Sequence, residues 1–208
     1  MARNAHNYQG ASSGCAFSFF LAQSVSVKTS PAIPLMFPEN YFCVSFATPF
    51  GAMGVRTEAG QISACLYLPE AVFKRQRVAA KNELAERAMQ QLLAYCADPD
   101  FVFDLPLKPA GTTFQQRVWQ AIAAIPRGQV LTYGVVAKGL RSAPRAVGQA
   151  CGANPYPLII PCHRVTAAQG LGGFAHSDDQ QGYFLQVKRW LLQHEQVPAY
   201  SQAQELLW

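Results

Sequence analysis

The segment Leu158-Ile159-Ile160-Pro161-Cys162-His163-Arg164-Val165 sets a thiol between an apolar run and two nitrogenous side chains. A cysteine is a nucleophile only as its thiolate. A free thiol titrates near ~8.5, and an adjacent histidine or positive charge is expected to bring that down toward neutrality. A Cys-His pair alone says little. The weight comes from what surrounds it, beginning with Asn154, eight residues upstream, and Arg145, seventeen upstream.

A second stretch, Arg145-Ala146-Val147-Gly148-Gln149-Ala150-Cys151-Gly152, is nearly free of side chains. Glycine inside a helix costs about 1 kcal/mol relative to alanine, so two of them need a reason. One reading is tight packing within the protein. The other is close approach to DNA, with Arg145 as the one long group able to reach into a base stack and small residues suited to the minor groove. Charge bears on the choice. Residues 113–177 hold six Lys/Arg and no Asp or Glu, whereas residues 1–112 are balanced at nine basic and eight acidic. A basic stretch without acids suits a polyanion, because each phosphate contact releases counterions.

The elements that must hold these residues follow from periodicity. Phe42, Val44 and Phe46 alternate, a turn at 49–51 follows, a strand resumes over 53–56, a turn falls at 58–60, and Ile62 to Leu68 alternates again. The spacing of apolar positions 84, 88, 92 and 95 predicts a helix between Val78 and Cys96, stopped by Asp98-Pro99-Asp100. Thr112 or Thr113 is placed to cap a helix carrying Phe114, Val118, Ile122 and Ile125, with Pro126 ending it. Thr132 is placed to cap a short helix from Tyr133 to Lys138, and Pro144 to start another reaching about Gly152. Two short helices across a tight turn make a helix-turn-helix candidate. A glycine-rich loop (Gly170, Gly172, Gly173) and a last helix ending at Glu195 complete the pattern.

Composition sets the outer bounds. The 208 residues are 50% hydrophobic and 14% charged, as expected of a globular chain with a real core. No apolar run reaches the ~18 residues of a membrane span, and no membrane partner is expected. The six cysteines form no CxxC pair, which argues for a reducing, cytoplasmic setting rather than a disulfide framework. Cys15 with His6 lacks any zinc-ligand spacing, so no metal is expected.

Tyr133-Gly134, Arg145 to Gly148, Asn154-Pro155, Ile160 to Val165 and Lys188 to Glu195 together resemble the O6-alkylguanine-DNA alkyltransferases, strongly over about residues 112–197 and weakly over 40–110. The resemblance implies an α+β fold: a small N-terminal sheet-plus-helix, RNase H-like domain (37–105), a linker (106–112) and a mostly helical domain with a helix-turn-helix (113–197). A disordered extension (1–36) and a tail (198–208) flank them. It implies irreversible, single-turnover transfer of the alkyl group from O6-alkylguanine, and from O4-alkylthymine, in flipped-out duplex DNA to Cys162. No cofactor is implied. The partner is double-stranded DNA carrying the lesion, and the chain is expected to be a monomer, in a bacterium nucleoid-associated.

Further roles are implied residue by residue. Cys162 accepts the alkyl group, His163 is the base through a bound water, Glu195 orients the imidazole, and Asn154 braces the turn. Tyr133 gives a proton to the departing guanine. Arg145 fills the hole left by the base, with Thr132, Tyr133, Ala146, Gly148 and Gly152 against DNA. Tyr133, Pro157, Val165, Phe174, Ala175 and Lys188 line the substrate pocket. The chain departs from the pattern in four places. The turn between Tyr133 and Arg145 is about two residues short, and an acidic insertion (175–181) follows Phe174. Ala175 stands where many relatives have serine, and no zinc-ligand set occurs in the N-terminal half. Two other classes compete with this one. A non-catalytic protein that flags lesions for other repair pathways would lack the acceptor cysteine. A cysteine hydrolase would show an oxyanion-hole motif.

Overall fold

Residues 37–38 and 41–201 are described in the computed structural model. The expected extension 1–36, with His6 and Cys15, and most of the tail 198–208 lie outside them. The described residues form one compact unit.

Three strands, β1 (Val44–Thr48), β2 (Gly51–Glu58) and β3 (Gln61–Leu68), form an antiparallel meander in the order β1-β2-β3. Alternation sorts their side chains onto two faces. Pairing Phe46 with Met53 and Met53 with Tyr67, and Val44 with Val55 and Val55 with Cys65, puts all six on one face, in the main core. Phe42, Ala52 and Leu68 form a smaller cluster with Val72 and Phe73. Those last two come from α1 (Glu70–Arg75), a helix that the sequence pattern does not predict.

The main face is covered by α2 (Glu83–Ala97), which buries Ala85, Ala88, Leu92 and Tyr95. It starts five residues later than the periodicity from Val78 suggests. The reason is competition for backbone partners: Ser45 N–H donates to Val78 O (2.9 Å) and Lys81 N–H to Cys43 O (3.0 Å), so residues 78–81 run extended along β1. Asn82 then caps the helix, its Oδ1 accepting from the Ala85 amide at 2.8 Å. The connector is likewise tied down, since Lys108 N–H donates to Ile62 O and Ile62 N–H to Pro106 O.

Beyond it, α3 (Thr113–Ala123) opens with a reciprocal capping box between Thr112 and Gln115. A two-residue strand β4 (Leu131–Thr132) leads directly into α4 (Tyr133–Gly139), capped by Thr132 as expected. The chain leaves α4 through a Schellman turn: Arg141 is left-handed (φ 51°), Ser142 N–H donates to Ala137 O and Arg141 N–H to Lys138 O. Then α5 (Pro144–Gly152) starts on its proline. A single 3-10 turn (Cys162–Arg164) precedes β5 (Val165–Thr166), which pairs in parallel with β4. That pairing holds Tyr133, one residue past β4, beside the turn that carries Cys162. The last described elements are α6 (Tyr183–His194) and α7 (Pro198–Ser201), the latter within the expected tail. No described helix is long and apolar enough to cross a membrane. The core is shared: sheet, α2, α3, α5 and α6 all contribute to one cluster.

Candidate active site

Cys162 sits at the first residue of the 3-10 turn, 5% exposed, on the wall of a cavity of about 470 Å³. That size falls within the ~300–1,000 Å³ of small-ligand sites. Around the cavity stand Tyr133, Arg145, Gly148, Cys151, Gly152, Phe174, Ala175 and His176. The sequence expectation for the thiol is corrected. Burial pushes Cys162 above its ordinary value, outweighing the Asn154 amide, the Lys188 charge and the Cys162 and His163 backbone amides, all of which pull it down. The resting sulfur is a thiol, so reaction requires a place for its proton.

The next residue, His163, is a buried imidazole. Its ring is fully buried, and Nε2 lies 2.8 Å from Glu195 Oε1. Burial holds the imidazole below its ordinary value despite the carboxylate beside it, so it is neutral near pH 7. Burial alone would raise Glu195, but hydrogen bonds from His163, Arg164 and Tyr95 outweigh it and hold the carboxyl well below the usual range. An ionised carboxylate only accepts, so the imidazole proton is on Nε2. Nδ1 is left with its lone pair, buried and without a hydrogen-bond partner.

His163 is not the sole partner of Glu195. Its oxygens accept from the Tyr95 hydroxyl (2.6 Å) and from Arg164 through Nε (2.9 Å) and a terminal nitrogen (2.8 Å). Arg164 also donates to Ile125 O at 2.6 Å. The poor electrostatics of a carboxylate at the C-terminal cap of α6 are offset by this bidentate pair. Sequence reasoning quoted Arg164 inside its motif without giving it a role. It missed Tyr95, which lies in α2, a hundred residues from its partner, and left no local signal.

Asn154 staples the loop behind the thiol, accepting from the Tyr156 amide (2.9 Å) through Oδ1 and donating to Ile160 O (2.9 Å) through Nδ2. The next residue ties that loop to the sheet, as Cys65 N–H donates to Pro155 O at 2.8 Å. Lys188 is fully buried, with Nζ donating to Val165 O (2.8 Å), Leu171 O (2.7 Å) and Gly173 O (3.1 Å). Burial brings it down to about 8. All three donors are spent on fixing the glycine-rich loop. Lys188, Val165 and Pro157, expected in the pocket, do not line the cavity; all three are buried, and the Val165 carbonyl is engaged by Lys188. Tyr133 does line it, with its hydroxyl donating to Gly173 O at 2.9 Å.

The mouth differs from this interior. Arg145 is exposed in the first turn of α5 and makes no hydrogen bond or ion pair among the described residues. The two glycines of α5 separate the two readings of that helix. A Cβ on Gly152 would come within 2.5 Å of the His176 ring, so in this arrangement Gly152 packs against an exposed side chain of the insertion, one that can swing aside. At Gly148 only ordinary contact with Tyr133 (3.9 Å) would result, which leaves its backbone bare at the cavity. Thr132 is taken up as the α4 cap, accepting from the Val135 amide at 3.2 Å. The insertion begins with a tight reversal: Ser177 N–H donates to Phe174 O (2.9 Å), Phe174 N–H to Ser177 O (2.8 Å), and Ala175 and His176 between them are both left-handed (φ 48° and 61°). Ala175, His176, Ser177 and Asp178 thereby reach the cavity.

Residues 113–197 match the family described as 6-O-methylguanine DNA methyltransferase, DNA binding domain. A methylated-DNA–protein-cysteine methyltransferase of Methanosarcina acetivorans is 43% identical over 110 residues, 51% of this chain and 70% of its own length. The constitutive one of Bacillus subtilis is 36% identical over 161 residues, covering 72% of this chain and 96% of its own. The crystal structure of Mycobacterium tuberculosis O6-methylguanine methyltransferase superposes with a TM-score of 0.60 at 32% identity, covering 78% of this chain and 95% of that one. The same organism's enzyme in complex with DNA also gives 0.60, at 34% identity over 73% and 91%. With relatives matched over nearly their whole length and the buried Cys162-His163-Glu195 series in place, the chain belongs to the methylated-DNA–protein-cysteine methyltransferase family.

Proposed function

We propose that this chain repairs DNA directly, moving the alkyl group of O6-alkylguanine onto Cys162, once per molecule. The observation that carries the reading is the buried series Cys162, His163 and Glu195 at a cavity of about 470 Å³, with an unengaged arginine at its mouth. Transfer needs a deprotonated sulfur and a neutral base, and His163 offers its free Nδ1 lone pair. The thiol proton passes to Nδ1 across one water, and Glu195 and Arg164 stabilise the resulting imidazolium. The sulfur lone pair then forms the S–C bond as the C–O6 bond breaks. The released pair stays on the guanine, which takes a proton from Tyr133 once that hydroxyl leaves Gly173 O; burial disfavours the phenolate so formed, and the proton held on His163 returns to it. A thioether has no leaving tendency, so the chain is spent.

The face that meets DNA is read from α4, the Schellman turn and α5 as a helix-turn-helix, with α5 toward the minor groove. Arg145 enters the stack where the base has left; extruding a damaged base costs only a few kcal/mol, which one inserted side chain offsets in part. Gly148 and Ala146 permit close approach. The meander with α2 across it is read as an RNase H-like N-terminal domain, acting as a monomer with the helical half on one duplex. The test is stoichiometry. Duplex DNA with a labelled O6-methyl group should leave one label per chain in excess DNA and none on Cys162→Ala, which should still bind. A Cys162→Ala chain that takes up label overturns the assignment. A wild-type chain that binds lesions yet takes none indicates the non-catalytic, lesion-flagging class.

A further inference from the structure

Among the described residues, three buried side-chain polar atoms have no hydrogen-bond partner: Thr48 Oγ1, His163 Nδ1 and the Tyr67 hydroxyl. The proposed chemistry uses the second and leaves the third unexplained. Tyr67 comes from β3, on the sheet face turned into the shared core, and is 7% exposed. Its ring packs on Phe50 (5.7 Å between centroids) and on Phe174 (5.5 Å), and Phe174 lines the cavity together with Cys162. A phenylalanine would fill the same space without stranding a hydroxyl, and a buried polar group without a partner is costly. The hydroxyl therefore calls for a partner that exists in only part of the reaction.

We propose that Tyr67 is a positioning residue for alkyl transfer, its hydroxyl donating the hydrogen bond that stabilises the Cys162 thiolate, directly or across one shared water. This rests on Cys162 being the acceptor. A neutral thiol is a weak acceptor and a thiolate a strong one, so the bond forms as the proton leaves for His163 Nδ1 and persists until the sulfur is alkylated. The phenol never gives up its own proton. Burial raises Tyr67 well above its ordinary value, and the Cys162 charge raises it further, with smaller contributions from Tyr95, Tyr183 and Cys96. The other groups facing Cys162 are Lys188 from α6, Cys151 from α5, Tyr133 from α4, and Asn154 and His163 in its own loop. Of these only Lys188 carries charge at rest, and its three donors are occupied. That leaves Tyr67 as a donor in reserve.

The test is Tyr67→Phe in the full chain, read in two ways. The rate at which iodoacetamide labels Cys162, followed on the Cys162 peptide across pH, reports the thiol itself. The rate of methyl transfer from an O6-methylguanine duplex reports the reaction. Removing a donor to the charged form should raise the apparent thiol pKa by about one unit, slowing both rates about tenfold near neutrality. The labelling gap should close at high pH, where the thiolate forms regardless. The melting temperature should hold or rise, because an unpartnered hydroxyl has been removed. An unchanged labelling titration overturns the proposal. So does a melting temperature well below wild type, which would show that the phenol already has a structural partner. Labelling does not depend on alkyl transfer, so a chain that never accepts methyl would defeat the proposed function and leave the Tyr67 result readable.

Discussion

The floor and the mouth of the cavity are built on opposite principles. At the floor every charged group is saturated: Glu195 takes four hydrogen bonds from three residues, and Lys188 gives three to backbone carbonyls. At the mouth Arg145 is exposed and unengaged, and Ala175 and His176 hold left-handed backbones on an exposed turn. On the proposed reading the floor holds a proton relay in one geometry and gains from over-determination, because buried charges tolerate no loose partner. A mouth that must admit a base and meet a duplex gains from groups left uncommitted until DNA arrives.

Breaking the floor should have the largest effect. Glu195→Ala leaves Arg164, His163 and the Tyr95 hydroxyl without their acceptor and should cost about 3–5 kcal/mol in chemical denaturation while abolishing transfer. A loss under about 1 kcal/mol would mean the network contributes little. Protonation breaks the same floor more gently. Glu195 is depressed below 4.5 and His163 below 6.5, so the unfolded chain binds more protons than the folded one on acidification. Stability should fall as pH drops below about 6.5 through His163, and fall again below about 4.5 through Glu195. A melting temperature flat from pH 7 to 4 would contradict both depressions.

Arg145→Ala probes the mouth and should leave the melting temperature nearly unchanged, as exposed substitutions shift stability by about 0.5 kcal/mol or less. Its effect should appear as an about tenfold slower transfer from a paired lesion, with transfer from free O6-benzylguanine little altered. Equal losses on both would remove the role in holding the base out. The smallest effect is expected at the turn. Asparagine tolerates the left-handed region better than histidine, so His176→Asn should stabilise the chain by up to about 1 kcal/mol. Destabilisation there would show that the His176 ring on Gly152 outweighs the backbone strain.

Legibility in the sequence followed the range of the interactions. The three strands, the Thr112 and Thr132 caps and the Pro144 start were readable because local periodicity and capping decide them. The early start expected for α2 failed because residues 78–81 take partners on β1, a tertiary choice invisible in the pattern. Cys162, His163, Asn154 and Glu195 were singled out through the resemblance of their motifs to a known family. Tyr95 and Tyr67 were not, since they reach the site from α2 and β3, and in sequence each is one apolar-face aromatic among many. The thiol's direction was misjudged for a related reason. Proximity to His163 is visible in the sequence, whereas burial, which wins, is a property of the fold.

The central claim is that Cys162 is the single acceptor. Peptide mass spectrometry after mixing the chain with excess O6-methylguanine duplex tests it most directly. One methyl group per chain, confined to the peptide bearing Cys162 and unchanged on longer incubation, is the predicted result. Methyl on Cys151 or another residue, or more than one turnover per chain, would contradict it.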